Sequence, residues 1–366
     1  MSAAPAVTDT PAPAPDNGTD RRSAGARILR ALLTQRIALL AVLIAVVVVT
    51  FFVMDSGGYL TAAYDFDYMS ASLINAVPLA MLGLAELLVI LSGRGGIDLS
   101  VGATVSLAGM VFGFMYGEWG WPLWIAIVLT ALFGALLGAV NGFLVAYVGF
   151  PALIATLATY YAYKSLAIVV NDQQPISTPA IQRLFSLSRS VELPVIGAYI
   201  PNVPLGIFTF LLPTGVVVWL LLNRTAYGRR VYAIGTNDVA ARWSGQPVRD
   251  SRFKVYVYAG LISGLVAVVT VAQFASARPD AGVSGSGMAL PAITIAVLGG
   301  VAITGGIGRV AGVVLATLLV VWLNAGILLA FAGNEGSQYQ LLALGSVLVF
   351  AALLNGLTTR RYGGAR

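Results

Sequence analysis

Ten apolar runs alternate with short polar or glycine-rich segments along the chain. They cover residues 37–54, 69–91, 99–116, 121–147, 152–170, 205–222, 255–274, 290–303, 310–331 and 339–354. Most are continuous rather than two-periodic, and a helix crossing the hydrocarbon core needs about 20 such residues. The pattern predicts an all-α polytopic membrane protein with about ten transmembrane helices. The eighth run is the shortest of these candidates.

Composition agrees. Of 366 residues, 58% are hydrophobic and 10% charged, whereas a soluble domain carries roughly 25% charged residues. The 41 glycines suit close helix packing and broken helices in a membrane. The absence of Cys and His excludes disulfides and thiolate chemistry, and removes the commonest metal ligand and general base.

The basic residues set an orientation. With both ends inside and ten alternating spans, 17 of the 21 Lys and Arg residues fall on the inner side. The opposite arrangement reverses that ratio, so the positive-inside rule predicts cytoplasmic termini. Residues 1–35 then form a disordered basic cytoplasmic tail, 36–357 the membrane domain and 358–366 a second basic tail. Residues 171–204 form an outer loop with a short interfacial helix near 181–187, and 223–254 a cytoplasmic loop. Trp119, Trp121 and Trp124 mark an outer boundary. This charge placement fits a bilayer and no nucleic acid.

The chain also echoes itself. GGIDLSVG over 95–102 is repeated as GGIGRVAG over 305–312, and Asn141-Gly142 is followed more loosely by Asn324-Ala325-Gly326. Two pseudo-repeated halves, each with a broken helix, are a recurrent transporter design. Chance matching of Gly-rich apolar segments is the alternative.

Three stretches can carry function. Residues 92–102 hold four glycines, each weakening a helix by about 1 kcal/mol, so the chain breaks there. Gly95, Gly96, Asp98 and Ser100 are then pathway or gating residues; alternatively Asp98 or Ser100 only caps the next helix. Residues 223–254 carry a second signal. Thr236 or Asn237 as N-cap, Asp238 in the first turn and Gly245 at the exit predict a short helix on the cytoplasmic face. It either docks on a soluble partner or lies on anionic lipid. Last come isolated polar groups in apolar runs: Glu86, whose ionisable side chain is costly there, and Asn75, Thr104, Asn141, Thr156, Gln273, Thr294, Thr304 and Asn324. These line a polar route or bond helix to helix.

A phosphate-binding P-loop needs Gly-x-x-x-x-Gly-Lys-Ser/Thr. The lysines, Lys164 and Lys254, follow Tyr163 and Phe253, so neither belongs to one. Any ATP drive by that route must come from another subunit.

From about Asp67 to Leu357 the chain resembles the ribose/xylose-type permeases of bacterial ATP-binding-cassette importers. The residues carrying the likeness are 95–102, Asn141-Gly142 with 151–157, the loop positions Arg224-Thr225, Gly228-Arg229, 233–237, 240–242 and Ser244-Gly245, and 296–300 with 305–308. Met288–Ile293 departs from the family in having no acidic residue. The resemblance implies a non-catalytic subunit working with cassette ATPases, an extracytoplasmic sugar-binding protein and a second permease copy or relative, in the bacterial plasma membrane. ATP and Mg belong to the partner ATPase, and this chain holds no cofactor or metal. It further implies coupling through Gly235, Asn237, Asp238, Ala241, Arg242 and Gly245, and translocation of a monosaccharide or sugar-like signal; the pathway and gating residues expected from the broken segment and the intramembrane polar groups are Glu86, Gly95, Gly96, Asp98, Ser100, Asn141 and Asn324, with Glu86 standing where the family typically has a small polar residue. The competing reading is a proton- or ion-coupled secondary transporter using Glu86 and Asp98.

Overall fold

The computed structural model describes residues 35–188, 190–191, 203–283, 287–331 and 333–362. The expected N-terminal tail, but for Gln35, lies outside them, as do the middle of the expected outer loop and the last four residues.

The described chain is built of helices. In order they are α1 (Arg36–Ser56), α2 (Phe66–Ser72), α3 (Ala76–Leu91), α4 (Val101–Phe112), α5 (Leu123–Phe143), α6 (Ala152–Val169), α7 (Pro179–Ser188), α8 (Leu212–Arg224), α9 (Ala226–Thr236), α10 (Asp238–Trp243), α11 (Val248–Phe274), α12 (Ala289–Leu298), α13 (Val310–Ala330) and α14 (Asn334–Tyr362). Wider π turns extend α4 over Gly113–Glu118 and α5 over Leu144–Val148, and lead into α8 over Ile207–Leu211. Two short strands, Ser190–Val191 and Val203–Pro204, pair antiparallel.

Seven of these helical stretches are long and apolar enough to cross a membrane, and α2 with α3, bent by 49°, makes an eighth. The ten apolar runs are therefore all helical in part, and seven, or eight with the bent pair, reach the length of a full span among the described residues. The runs at 99–116 and 290–303 begin or end at glycine breaks. Helix α12 stops after ten residues, where Gly300 turns at φ +89° and Gly305 and Gly306 follow at +94° and +75°. On the other side of the echo, Gly93, Arg94 and Gly95 take φ +79°, +57° and +64°, so α3 cannot run on into α4. A non-Gly residue in that region is uncommon, and Arg94 is held there by the turn around it.

Helix α11 is the central post. Over its most apolar stretch 78% of the residues are buried, against 11% for α1 and for α14, whose outward positions such as Val46, Val49, Val53, Leu342 and Val349 are exposed. In lipid that exposure is solvation, not a defect. Glycines let α5 reach α11 backbone to backbone: a Cβ at Gly138 would strike the Tyr256 carbonyl, and one at Gly134 the backbone of Gly260 and Gly264. Paired small-xxx-small spacings such as Gly134/Gly138 and Gly260/Gly264 are how membrane helices pack closely.

The two ends of α11 differ. Its C-terminal end meets Ile176, which exchanges backbone hydrogen bonds of 2.9 and 2.8 Å with Ala277. Ile176, Ile181 and Ala277 pack there with Met110 and Phe112, near the exposed Trp119 and Trp124. The expected short helix at 181–187 is present as α7. The N-terminal end of α11 adjoins α9 and α10, the basic end of the molecule.

Candidate functional site

The expected short helix in the basic loop forms as α10. Asn237 is extended (φ −158°, ψ 100°) and its side chain accepts from the Ala240 amide at 2.9 Å, so Asn237 rather than Thr236 is the N-cap. Asp238 occupies the first turn, and Gly245 leaves at φ +77°. Ala241 is buried with Ile234 and Val248, which seats the helix. Arg242 is exposed. Val239 and Trp243 point away, 58% and 86% exposed.

The root of this helix lies between the two glycine breaks. A Cβ at Gly235 would run into the Leu91 carbonyl oxygen and the Gly306 amide nitrogen. One at Gly305 would strike the Gly93 Cα, and one at Gly306 the Thr236 side chain. The breaks also bond directly, the Gly306 amide donating to the Leu91 carbonyl at 3.0 Å. The Tyr232 hydroxyl donates to the Gly308 carbonyl at 2.9 Å. Burial pushes that hydroxyl above its usual pKa against the pull of Arg309, so it stays a donor at neutral pH.

Charge ties α10 to the first break. Arg94 Nε lies 2.5 Å and Arg252 Nη2 3.8 Å from Asp238 Oδ2. Arg252 also donates to the Ser92 carbonyl at 3.2 Å. Arg94 is largely exposed, while Arg252 is buried.

Beneath the break is a buried polar cluster. Thr159 donates to Asn141 Oδ1 at 2.6 Å, and Asn141 Nδ2 donates to Ser100 Oγ at 2.7 Å. The Ser100 hydroxyl and amide both donate to Asp98 Oδ1, at 2.6 and 2.9 Å. The Asp98 amide donates to Glu86 Oε2 at 3.3 Å, and Thr156 reaches the Ile97 carbonyl at 3.2 Å. All six side chains are less than 10% exposed. Residues from α3, α4's entry, α5 and α6 thus bind one another through Asp98, each interhelical bond contributing about 1 kcal/mol in a membrane.

Several expectations change here. Ser100 holds the N-cap position of α4 without a side-chain cap bond, because its hydroxyl is spent on Asp98, while Asp98 Oδ1 accepts the free Ser100 amide at the helix entry, as the capping alternative expects. Gly96 is packed against the Val89 and Gly93 carbonyls, while Gly95 has open space around it. The Asn324 carbonyl accepts from Gln340 at 3.0 Å, a bond from α14 to α13 unlike the side-chain bonds of Asn141. Gln273 is an interhelical tie, donating to the Ile74 carbonyl at 2.8 Å, and Thr294 bonds back to its own helix. Reading the sequence missed Arg252, Tyr232, Tyr256 and Thr159. The spacing of Arg252 and Tyr256 was an available signal, since residues four apart share one helix face.

Residues 68–354 match a family described as "Branched-chain amino acid transport system / permease component". Among curated proteins, the chain is 34% identical over 327 residues to the autoinducer 2 import system permease protein LsrD of Klebsiella pneumoniae, covering 88% of this chain and 92% of the relative. It is 34% identical to the protein of the same name from Enterobacter sp., covering 81% and 87%, and to that from Yersinia enterocolitica, covering 81% and 86%. No solved structure matches.

Proposed function

This chain belongs to the family of permease components just described, and we propose that it carries a monosaccharide or sugar-like signal across the bacterial plasma membrane as the spanning subunit of an ATP-binding-cassette importer. The motif resemblance favours a sugar-type solute, and the relatives are named for autoinducer 2; the family's description is broader. In this reading the basic end is cytoplasmic and the tryptophan end faces the binding protein. Two permease subunits, this chain twice or with a relative, work with two ATPases that use ATP and Mg.

The observation that carries this reading is α10. It exposes Val239 and Trp243 as an apolar anchor on an otherwise polar, basic end, as a helix docking in a partner's groove does. Its other side is fastened to both glycine breaks through Gly235, Asp238 and Thr236. A push on α10 by a closing ATPase would move both breaks together, because backbone contacts at glycine leave no slack between them. The helices following the breaks, α4 and α13, would then tilt and open the path to alternate sides. The Asp98 cluster holds α4 to α5 and α6 as one body during that motion.

The test is uptake into vesicles containing this chain, its cassette ATPase and its binding protein. ATP-dependent, binding-protein-dependent uptake is expected. Uptake driven by a proton gradient without ATP would overturn the importer reading. It would support the secondary transporter, which has one observation in its favour: Glu86 Oε1 is buried with no hydrogen-bond partner among the described residues.

A further inference from the structure

The chain between α11 and α12 does not stay at the surface. Ala277 pairs with Ile176 through backbone bonds, and a Cβ at Gly113 would strike the Ala277 Cβ. Gly113 opens the π turn that carries α4 on to Glu118. Further along, the Gly282 amide donates to Ser106 Oγ at 2.9 Å, and a Cβ at Gly102 would strike the Gly282 carbonyl. From Gly113 to Ser106 the helix axis falls by about 10 Å, at 1.5 Å per residue. The loop therefore descends along α4, away from the exposed Trp119 and into the membrane domain. There α12 begins, its Met288 amide bonded to the Gly282 carbonyl at 3.0 Å.

Irregular backbone at such depth is stable where it is buried in protein or lines a water-filled cavity. This loop does both. Pro279, Gly282 and Val283 are buried, and Val283 packs with Ala103, Leu107 and Tyr163. Arg278 and Asp280 are not buried. Each side chain is 45% exposed, and Arg278 Nε lies 3.5 Å from Asp280 Oδ1. In the chain they are bracketed by Ala277 and Gly282, so they sit between the level of Gly113 and that of Ser106, inside both ends of α4. A charged side chain facing hydrocarbon costs about 3 kcal/mol or more, so charges at this depth face a wet cavity. Their exposed sides mark water reaching down from the tryptophan end.

Phe274 completes the set. The Arg278 guanidinium lies 5.2 Å from the centre of its ring, and Phe274 is 44% exposed. A carboxylate and a guanidinium held against each other carry no net charge. They offer strong acceptors and donors without favouring an ion, and the ring offers an apolar face beside them. A neutral molecule with neighbouring hydroxyls on a carbon ring uses all three. We propose that residues 274–283 wall a water-filled vestibule open to the tryptophan end, where Phe274, Arg278 and Asp280 first hold a sugar-type solute inside the membrane domain. The solute contact rests on the importer reading above, whereas the vestibule does not.

The chain has no cysteine, so single cysteines report without background. Right-side-out membrane vesicles holding the full chain are treated with a membrane-impermeant cationic thiosulfonate, and labelling rates are read by mass spectrometry. Arg278→Cys and Ala281→Cys should react, as should Gln174→Cys in the exposed turn after α6. Leu132→Cys, on the exposed apolar side of α5, should not. Excess ribose should slow labelling of Ala281→Cys about twofold or more, the loss of rate at half occupancy, and leave Gln174→Cys unchanged. Leucine, a zwitterion, should slow neither. If Gln174→Cys reacts while both loop positions resist, the vestibule is overturned. Labelling that ribose leaves unchanged, or that leucine slows equally, overturns the solute contact. Labelling needs neither ATP nor a partner protein, so its outcome is read separately from the uptake assay that decides the importer reading.

Discussion

Arg94 and Asp238 meet at 2.5 Å across the junction between the first glycine break and the base of α10. Arg94 is 59% exposed on its side chain, so the pair itself contributes at most about 1 kcal/mol to stability. Its importance is positional, because Asp238 is also the carboxylate nearest the buried Arg252. Asp238→Asn is expected to leave the protein inserted and to lower solute-stimulated ATPase activity of the assembled importer about tenfold, roughly 1.4 kcal/mol of coupling. The charge swap Arg94→Asp with Asp238→Arg should recover part of it. Unchanged stimulation in Asp238→Asn would mean that α10 does not communicate through this contact.

Trp243 is the exposed anchor of α10. Trp243→Ala should leave the melting temperature of the isolated chain unchanged, since the side chain touches little of the fold. It should weaken association with the ATPase by about 2 kcal/mol or more, as loss of an aromatic hot spot does. Arg242→Ala, on the same helix, should weaken association less. Co-purification and binding isotherms check both.

Glycine substitutions should sort by what surrounds them. Gly235→Ala places a methyl group against the Leu91 carbonyl and Gly306, overpacking that costs about 1–3 kcal/mol and separates α10 from the breaks. Gly215→Ala, in α8 with nothing nearby, should be neutral or stabilise by up to about 1 kcal/mol. Thermal unfolding in detergent gives both numbers, and equal losses would contradict the close approach at Gly235.

The Asp98 cluster should behave as structure. Asn141→Ala strips the partner of Thr159 and of Ser100 and should lower stability by about 1–3 kcal/mol, with uptake falling in step with folded protein. Glu86→Gln keeps the shape of Glu86 and its acceptor toward the Asp98 amide. Uptake by this variant should still need ATP and should keep its pH profile. A lost or shifted profile would return Glu86 to the centre of a proton-coupled mechanism.

Much of this was legible in order of residues. Continuous apolar runs dictate helices in lipid because no water is there to satisfy open backbone. The Asn237-Asp238 pair starts α10 through a local side-chain bond. The glycines of 92–102 and 299–312 break helices by their own backbone freedom. Each of these effects acts within a few residues.

What the order of residues could not decide was which breaks touch. That Gly235 fits between Leu91 and Gly306, that Asn141 joins Thr159 to Ser100, and that Arg252 lies under Asp238 all depend on how α11 stands among its neighbours. The glycines at 299–300 permit the end of α12, but only the fold brings that end against another element, Gly299 meeting the Gly312 backbone of α13. Local chemistry determined the elements and where the chain may bend. The tertiary structure decided which bends meet, because close backbone contact requires two glycines to arrive at one place from distant parts of the chain.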